Sequence, residues 1–540
     1  MKKLLYISIS LLLLITATQS CKKSFLDETV YSSYSPSTLT DALGFEASLN
    51  ALYRIYAYNF YCRSDRQGWL NVWQVGTDIA FAGQQEGIEV PYYNYTLLKS
   101  TDAAASFTWN GAYQLINNSN IIIKNIQDPS ITGISDENKK AIEGEARFFR
   151  GLAYNILATC FGKVPVVKDP LTAPKTDFIR APIEEVNALI EEDLLFAGQY
   201  LPNPGAVGSS TNSLGKPAGR ANKYMAMQLL AEAYLRMDNP DKAEQQAQAI
   251  INSGYFALNT SRFGVGASGS GDPFSDMFKY GSMRRSQGNK EAIWVFEMEH
   301  PAKVTGGVID NPQQRRVWNA AYYQISGMTI TDSLGGRGLA RLRLNDYVVY
   351  GLYESNDIRN SSYNFRRYFY YNTLSSPNYG QQVPYVGFDT LFRITPHITK
   401  YYQFDPNDVF GYAMIKDLMF MRLGETYLLL AEAQFKQGNL DGAATTINVL
   451  RARANASLIA GADVTMDFIL DERIRELVGE ENRRMTLMRT KLLVERATRF
   501  NATSPINQLQ GITENNELMP IPQTEIDLNK DAVLEQNPGY

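Results

Sequence analysis

Apolar residues recur at helical spacing over Leu39 to Tyr58, over Trp109 to Ile126 and over Lys139 to Phe161. The third stretch stops at Gly162, ahead of Val164-Pro165, as a helix end should. Pro182 opens a further helix that runs through Phe196, and residues 466–499 form a charged helical stretch. Between about 257 and 411 the helical period fades, while Gly, Pro, Ser, Asn and Tyr become frequent. That texture predicts loops and short strands such as Ala292 to Glu297, and residues 60–105 read the same way. The pattern predicts a mainly α fold, a helical scaffold at about 39–60, 106–256 and 412–500. A large irregular loop and short-strand insertion decorates it, at about 60–105, 257–411 and 501–540. Binding sites concentrate on long loops held by a rigid frame.

One segment repeats. Leu229-Leu230-Ala231-Glu232-Ala233 recurs as Leu429-Leu430-Ala431-Glu432-Ala433; Asn239, Asp241 and Ala243 are matched by Asn439, Asp441 and Ala443. This fits a tetratricopeptide-like helix pair. Small Ala231 and Ala243, or Ala431 and Ala443, let two backbones approach, and Met227 and Leu230, or Tyr427 and Leu430, fill the groove beside them. Each asparagine is placed to cap the second helix, with an aspartate in its first turn, where the helix dipole favours negative charge.

The start of the chain has the anatomy of a secretory signal: a basic head at Lys2-Lys3, an apolar run from Leu4 to Ile15, and small polar residues ending in Ser20-Cys21. The run is shorter than the roughly 20 residues that span a bilayer. Residues 1–20 are read as a lipoprotein signal peptide and Cys21 as the lipidation site, with 21–540 forming a single domain anchored to a membrane by its acyl chains.

Net charge is −4 with 20% charged residues, which argues against nucleic acid as the main partner, since a phosphate-binding face needs clustered Lys and Arg. Cys62 and Cys160 are expected as buried thiols in a chain long enough to form a core without disulfides. The 33 tyrosines outnumber the 25 phenylalanines, which predicts aromatic surface as well as aromatic core.

Catalytic motifs are missing. His300 and His397 are the only histidines, and no zinc, Walker A or nucleophile-elbow pattern occurs. Gly264-x-Gly266-x-x-Gly269 lacks the strand and helix that a dinucleotide site needs. Asp405-Pro406-Asn407-Asp408 reads as a capped turn rather than a calcium loop. Glu472, Glu476, Glu480 and Glu481 interleave with Arg473, Arg475, Arg483 and Arg484 at ion-pairing spacings, as a solvated or packed face would. No enzyme, metal or cofactor is expected.

Several segments together resemble the SusD/RagB family of surface lipoproteins. These are Cys21-Lys22-Lys23-Ser24-Phe25-Leu26-Asp27; Glu145-Ala146-Arg147-Phe148-Phe149-Arg150 running on to Phe161-Gly162-Lys163-Val164-Pro165; Arg422-Leu423-Gly424-Glu425-Thr426-Tyr427; Glu472-Arg473-x-Arg475-Glu476; and Pro520-Ile521-Pro522 to Gln536-Asn537-Pro538-Gly539-Tyr540. The resemblance implies a tetratricopeptide-like scaffold and a nutrient-capturing lid on a SusC-type TonB-dependent transporter in the outer membrane. Most members capture glycans and some handle oligopeptides. The chain departs from the family in placing Lys22-Lys23, rather than acidic residues, directly after the cysteine. No ligand residue carries over by motif.

An oligosaccharide is bound by aromatic faces with polar groups around them. The loop aromatics Trp69, Trp73, Trp318, Tyr322 and Tyr323, with Gln74 and Asp78 as polar contacts, are therefore the candidate ligand residues; Trp109 and Trp294 are assigned to the core. Tyr368 to Tyr379 is the next region to consider. An oligopeptide ligand would favour a broad polar cleft instead. A glycoside hydrolase would need a carboxylate pair at catalytic separation, which sequence cannot place.

Overall fold

The computed structural model describes residues 39–540 except 64, 67, 305–311 and 502–507, so the signal segment and Cys21 lie outside the described residues. Helix starts follow local chemistry. Asp41 accepts from the Gly44 amide at 2.8 Å and opens α1 (Ala42–Ala57). Asp102 does the same for Ala105 at the start of α2 (Ala103–Ile126). Ser135 caps α3 (Asp136–Phe161), which ends at Gly162 with φ 73°, the backbone turn that its sequence predicts. Then follow α4 (Ile183–Tyr200), α5 (Lys223–Arg236) and α6 (Pro240–Ile251). After the irregular part come α7 (Leu423–Lys436), α8 (Leu440–Arg453), α9 (Met466–Leu477), α10 (Arg483–Thr490) and α11 (Leu493–Asn501).

Each of the helices α1 to α8 packs on the next in chain order, so the scaffold is a row of helix pairs. The two repeats are α5–α6 and α7–α8, and α6 packs directly against α7 although the irregular part separates them in the chain. Ala231, Ala243, Ala431 and Ala443 are all fully buried. Asn239 and Asn439 cap their helices through the amides of Lys242 and Gly442. The mainly α, tetratricopeptide-like prediction therefore holds.

Among the described residues six short strands tie the irregular part down: β1 (Ala80–Ala82), β2 (Ala292–Phe296), β3 (Leu342–Leu344), β4 (Phe365–Arg366), β5 (His397–Ile398) and β6 (Leu418–Arg422). They form three antiparallel pairs, β1–β3, β2–β6 and β4–β5. Phe296 lies opposite Leu418, so the chain that leaves the scaffold returns beside its exit point. Trp294 on β2 stacks on Tyr56 of α1 at 5.5 Å and is buried, as is Trp109.

The acidic and basic series of residues 472–484 is packed rather than solvated. Glu472 pairs with Arg359 at 2.8 Å and with Arg451 at 2.9 Å, Glu476 with Arg422 at 2.5 Å, and Glu480 with Lys400 at 2.6 Å. Arg359 and Lys400 come from the irregular part, so these pairs bolt it to the scaffold. Cys62 and Cys160 are both buried thiols, without a disulfide between them. Among the described residues no helix is long and apolar enough to cross a membrane.

Candidate functional site

The structure corrects most of the expected ligand residues. Trp69 and Trp73 occupy a short 3-10 turn, edge to face at 5.4 Å, and are 2% and 3% exposed. Gln74 spends its amide on the Glu481 carbonyl at 2.8 Å. Asp78 is fully buried between Arg483 and Arg496. Trp318 is buried, and the cavity that it lines with Trp73 and Gln74 holds only about 40 Å³, room for little more than a few waters. Tyr322 is fully buried; its hydroxyl donates to the Gly336 carbonyl at 2.9 Å and accepts from the Thr331 amide. Large rings in long loops anchor those loops by burying apolar area, and here that demand prevails over exposure. Of the seven, Tyr323 alone reaches the surface, half-buried.

The exposed aromatic surface lies elsewhere. Every exposed aromatic side chain among the described residues falls between Tyr280 and Tyr412. The scaffold helices contribute none. Tyr323 belongs to one part of this surface, assembled from three stretches of chain. The β1–β3 pair brings the first stretch, residues 80–86, against the second, residues 323–344, and Gly83 sits where a Cβ would come 2.3 Å from the Ala340 carbonyl oxygen. The Gln84 amide donates to the Leu339 carbonyl at 2.8 Å, and Glu86 pairs with Arg341.

The third stretch, residues 403–413, is held by Arg315. Its guanidinium donates to the Gln403 carbonyl (2.8 Å), the Gln403 side chain (2.6 Å) and the Gly411 carbonyl (2.8 Å). This presents Phe410 and Tyr412, 65% and 57% exposed. Arg337 crosses between the stretches: it donates to the Phe410 carbonyl at 2.8 Å and the Tyr323 hydroxyl at 3.3 Å. Two guanidiniums lie over the Tyr412 ring, Arg316 at 4.6 Å and Arg337 at 4.5 Å, and Tyr323 meets Phe410 edge to face at 6.5 Å. Burial, followed by the repulsion of neighbouring arginines, pushes Arg315 and Arg316 down to about 10.

A cleft of about 850 Å³ opens on the other side of residues 403–405, lined by Tyr280, Tyr363, Arg366, Asp332, His300 and Asp405 among others. His300 Nε2 lies 4.0 Å from Asp405 Oδ2. Its volume is in the range of ligand clefts. Asp405 also accepts from the Asn407 amide, forming the capped turn predicted there. His397 is buried and pushed down to about 3 by desolvation, so it stays neutral and has no acid role near pH 7. The face offers rings to stack on and donors and acceptors for hydroxyls. Sequence reasoning missed Phe410, Tyr412 and Arg337; the available signal was the run of aromatic and glycine residues at 409–413, just at the edge of the irregular part.

Comparison with known proteins places this architecture. The profile described as the SusD family matches residues 281–540, and one described as starch-binding associating with outer membrane matches residues 24–235. A SusD-like protein of Formosa agariphila is 23% identical over 512 residues, 86% of each chain. A solved SusD homolog from Bacteroides thetaiotaomicron superposes with a TM-score of 0.71 at 19% identity, over 94% of this chain and 98% of that one. The surface glycan-binding protein A of the same organism, solved in complex with laminarihexaose, gives 0.67 at 17% identity, over 92% and 99%. The ordered motifs of the sequence, the stacked helix pairs and these matches converge: the chain belongs to the SusD/RagB family.

Proposed function

We propose that this protein is an outer-membrane lipoprotein that captures a nutrient oligosaccharide on its irregular face. It passes the ligand, uncleaved, to a SusC-type TonB-dependent transporter. The observation that carries the reading is that, among the described residues, the exposed aromatic side chains are confined to residues 280–412. A sugar ring offers one apolar face and a rim of hydroxyls, which suits exposed Tyr and Phe beside arginine and amide donors. The glycan-binding relative and the starch-binding family description support the same ligand class. Acyl chains on Cys21 would hold the protein at the membrane, and tethering beside a transporter would raise the ligand's effective concentration at its mouth.

Isothermal titration against a panel of oligosaccharides and oligopeptides tests the ligand class. Binding to a glycan without release of smaller fragments is the expected result; binding to peptides alone would move the reading to peptide capture. Gentle detergent extraction and affinity purification test the partner: the lipoprotein should co-purify with a TonB-dependent barrel, and its recovery alone would leave a free-standing binder.

A further inference from the structure

The cleft on the other side of residues 403–405 holds two polar side chains that approach each other without meeting. His300 Nδ1 accepts from the Ala302 amide at 3.2 Å, where the ring caps the short turn Pro301–Lys303. A ring nitrogen that accepts carries no proton, so the proton of the ring sits on Nε2. Asp405 Oδ1 is taken in the same way by the Asn407 amide at 2.8 Å, which leaves Oδ2. Nε2 and Oδ2 lie 4.0 Å apart, beyond the length of a hydrogen bond, and among the described residues neither has another hydrogen-bond partner. Each side chain is thus fixed through one atom and presents the other in a cleft where it is partly exposed, 39% for His300 and 26% for Asp405. A metal does not account for the pair, because among the described residues no three His, Cys, Asp or Glu side chains gather to hold one. What fits the gap is an oxygen about 2.8 Å from each atom that accepts from Nε2 and donates to Oδ2. A hydroxyl does both. Tyr280 and Tyr363, 57% and 45% exposed, line the same cleft and offer ring faces.

We infer that the cleft is a second saccharide subsite, in which one free hydroxyl of the sugar bridges His300 and Asp405 while Tyr280 or Tyr363 stacks on the ring. The pair then sets specificity. An O-methyl, O-acyl or sulfate group at that position accepts from Nε2 but has no proton to give Oδ2, so the carboxylate is left facing an acceptor. The ligand is therefore a saccharide that is unsubstituted at the recognised position. The stretch 403–413 serves both subsites, with Asp405 in the cleft and Phe410 and Tyr412 on the platform. The Cα atoms of residues 405 and 410 lie within about 18 Å of each other, so one oligosaccharide can reach both. This inference rests on the glycan-capture reading.

Affinity electrophoresis of the full-length protein in detergent separates the two, with laminarin, amylopectin, glucomannan or polygalacturonate cast in the gel. Asp405→Asn keeps an oxygen for the Asn407 amide and loses the second acceptor. His300→Asn keeps an oxygen for the Ala302 amide and loses the Nε2 donor. Both caps survive, so melting temperatures should match wild type. With a polymer that retards wild type, Asp405→Asn should weaken binding about tenfold or more, because its bond is charge-assisted, and His300→Asn about three- to tenfold. The double variant should be no more than about twofold weaker than Asp405→Asn, since both changes remove one bridge. Partial O-methylation of the polymer should weaken wild type more than Asp405→Asn, whose amide can donate to an ether oxygen. Retardation that neither variant alters, that only one alters, or that falls additively in the double variant overturns the bridge and leaves glycan capture standing. No retardation by any polymer overturns both.

Discussion

Asp78 accepts two hydrogen bonds from Arg483, at 2.8 and 2.6 Å, across 405 residues of chain, and a third from Arg496 at 2.6 Å. This joint holds the first irregular segment to α10 and α11 and keeps β1 in place beside β3. Desolvation raises the Asp78 carboxyl, but the charges and donors of Arg483 and Arg496 outweigh it and hold it below the ordinary carboxylate value. A group depressed in the folded state stabilises the fold above its unfolded pKa, about 3.9, and that contribution is lost as pH falls through the folded value. Asp78→Asn should therefore cost roughly 3–5 kcal/mol at pH 7, since it strands two buried guanidiniums. The gap between variant and wild type should narrow below about pH 4. Urea denaturation at neutral and acidic pH measures both, and equal stabilities at pH 7 would refute the joint.

The buried and exposed aromatics should separate cleanly under mutation. Trp73→Ala should destabilise by about 3–5 kcal/mol, because it empties a packed site. Tyr412→Ala should change stability by no more than about 0.5 kcal/mol. Its cost should fall on glycan affinity instead, about 2 kcal/mol or roughly 30-fold. Calorimetry with the cognate oligosaccharide and thermal melts of both variants decide the matter; unaltered affinity in folded Tyr412→Ala would move the platform elsewhere, first to Tyr368 and Tyr370.

At the helix crossings, Ala231→Leu and Ala431→Leu should each overpack a fully buried position and cost about 1–3 kcal/mol. Lys242→Ala removes a part-exposed pair with Glu191 and a contact over the Tyr234 ring, and should cost less than about 1 kcal/mol. A denaturation series in which all three behave alike would contradict the stacked-repeat geometry.

Cys21→Ala should release the protein from the detergent phase on phase partitioning. The expectation comes from the signal pattern at residues 1–20 together with the absence of a spanning helix among the described residues. A variant that still partitions with membranes would point to a different anchor.

The sequence by itself determined what short-range chemistry controls. Helical spacing and Gly162 as a stop act within a few residues, so the bodies of α1, α2 and α3 were readable from local order, while the starts of α2 and α3, capped by Asp102 and Ser135, lie ahead of the Trp109 and Lys139 that the spacing marked. The duplicated alanines and asparagines likewise revealed the two helix pairs, because a close crossing demands small residues at fixed spacing. Tertiary structure decided which aromatics face water. Trp69 and Tyr412 both sit in irregular chain, and nothing local distinguishes a ring that anchors a loop from one that a loop displays. The difference arises when β1 meets β3, when Asp78 meets Arg483 and when Arg315 gathers residues 403–413, contacts made across tens to hundreds of residues. Burial is set by those long-range contacts, since a side chain's neighbours are whichever groups the folded chain brings within reach.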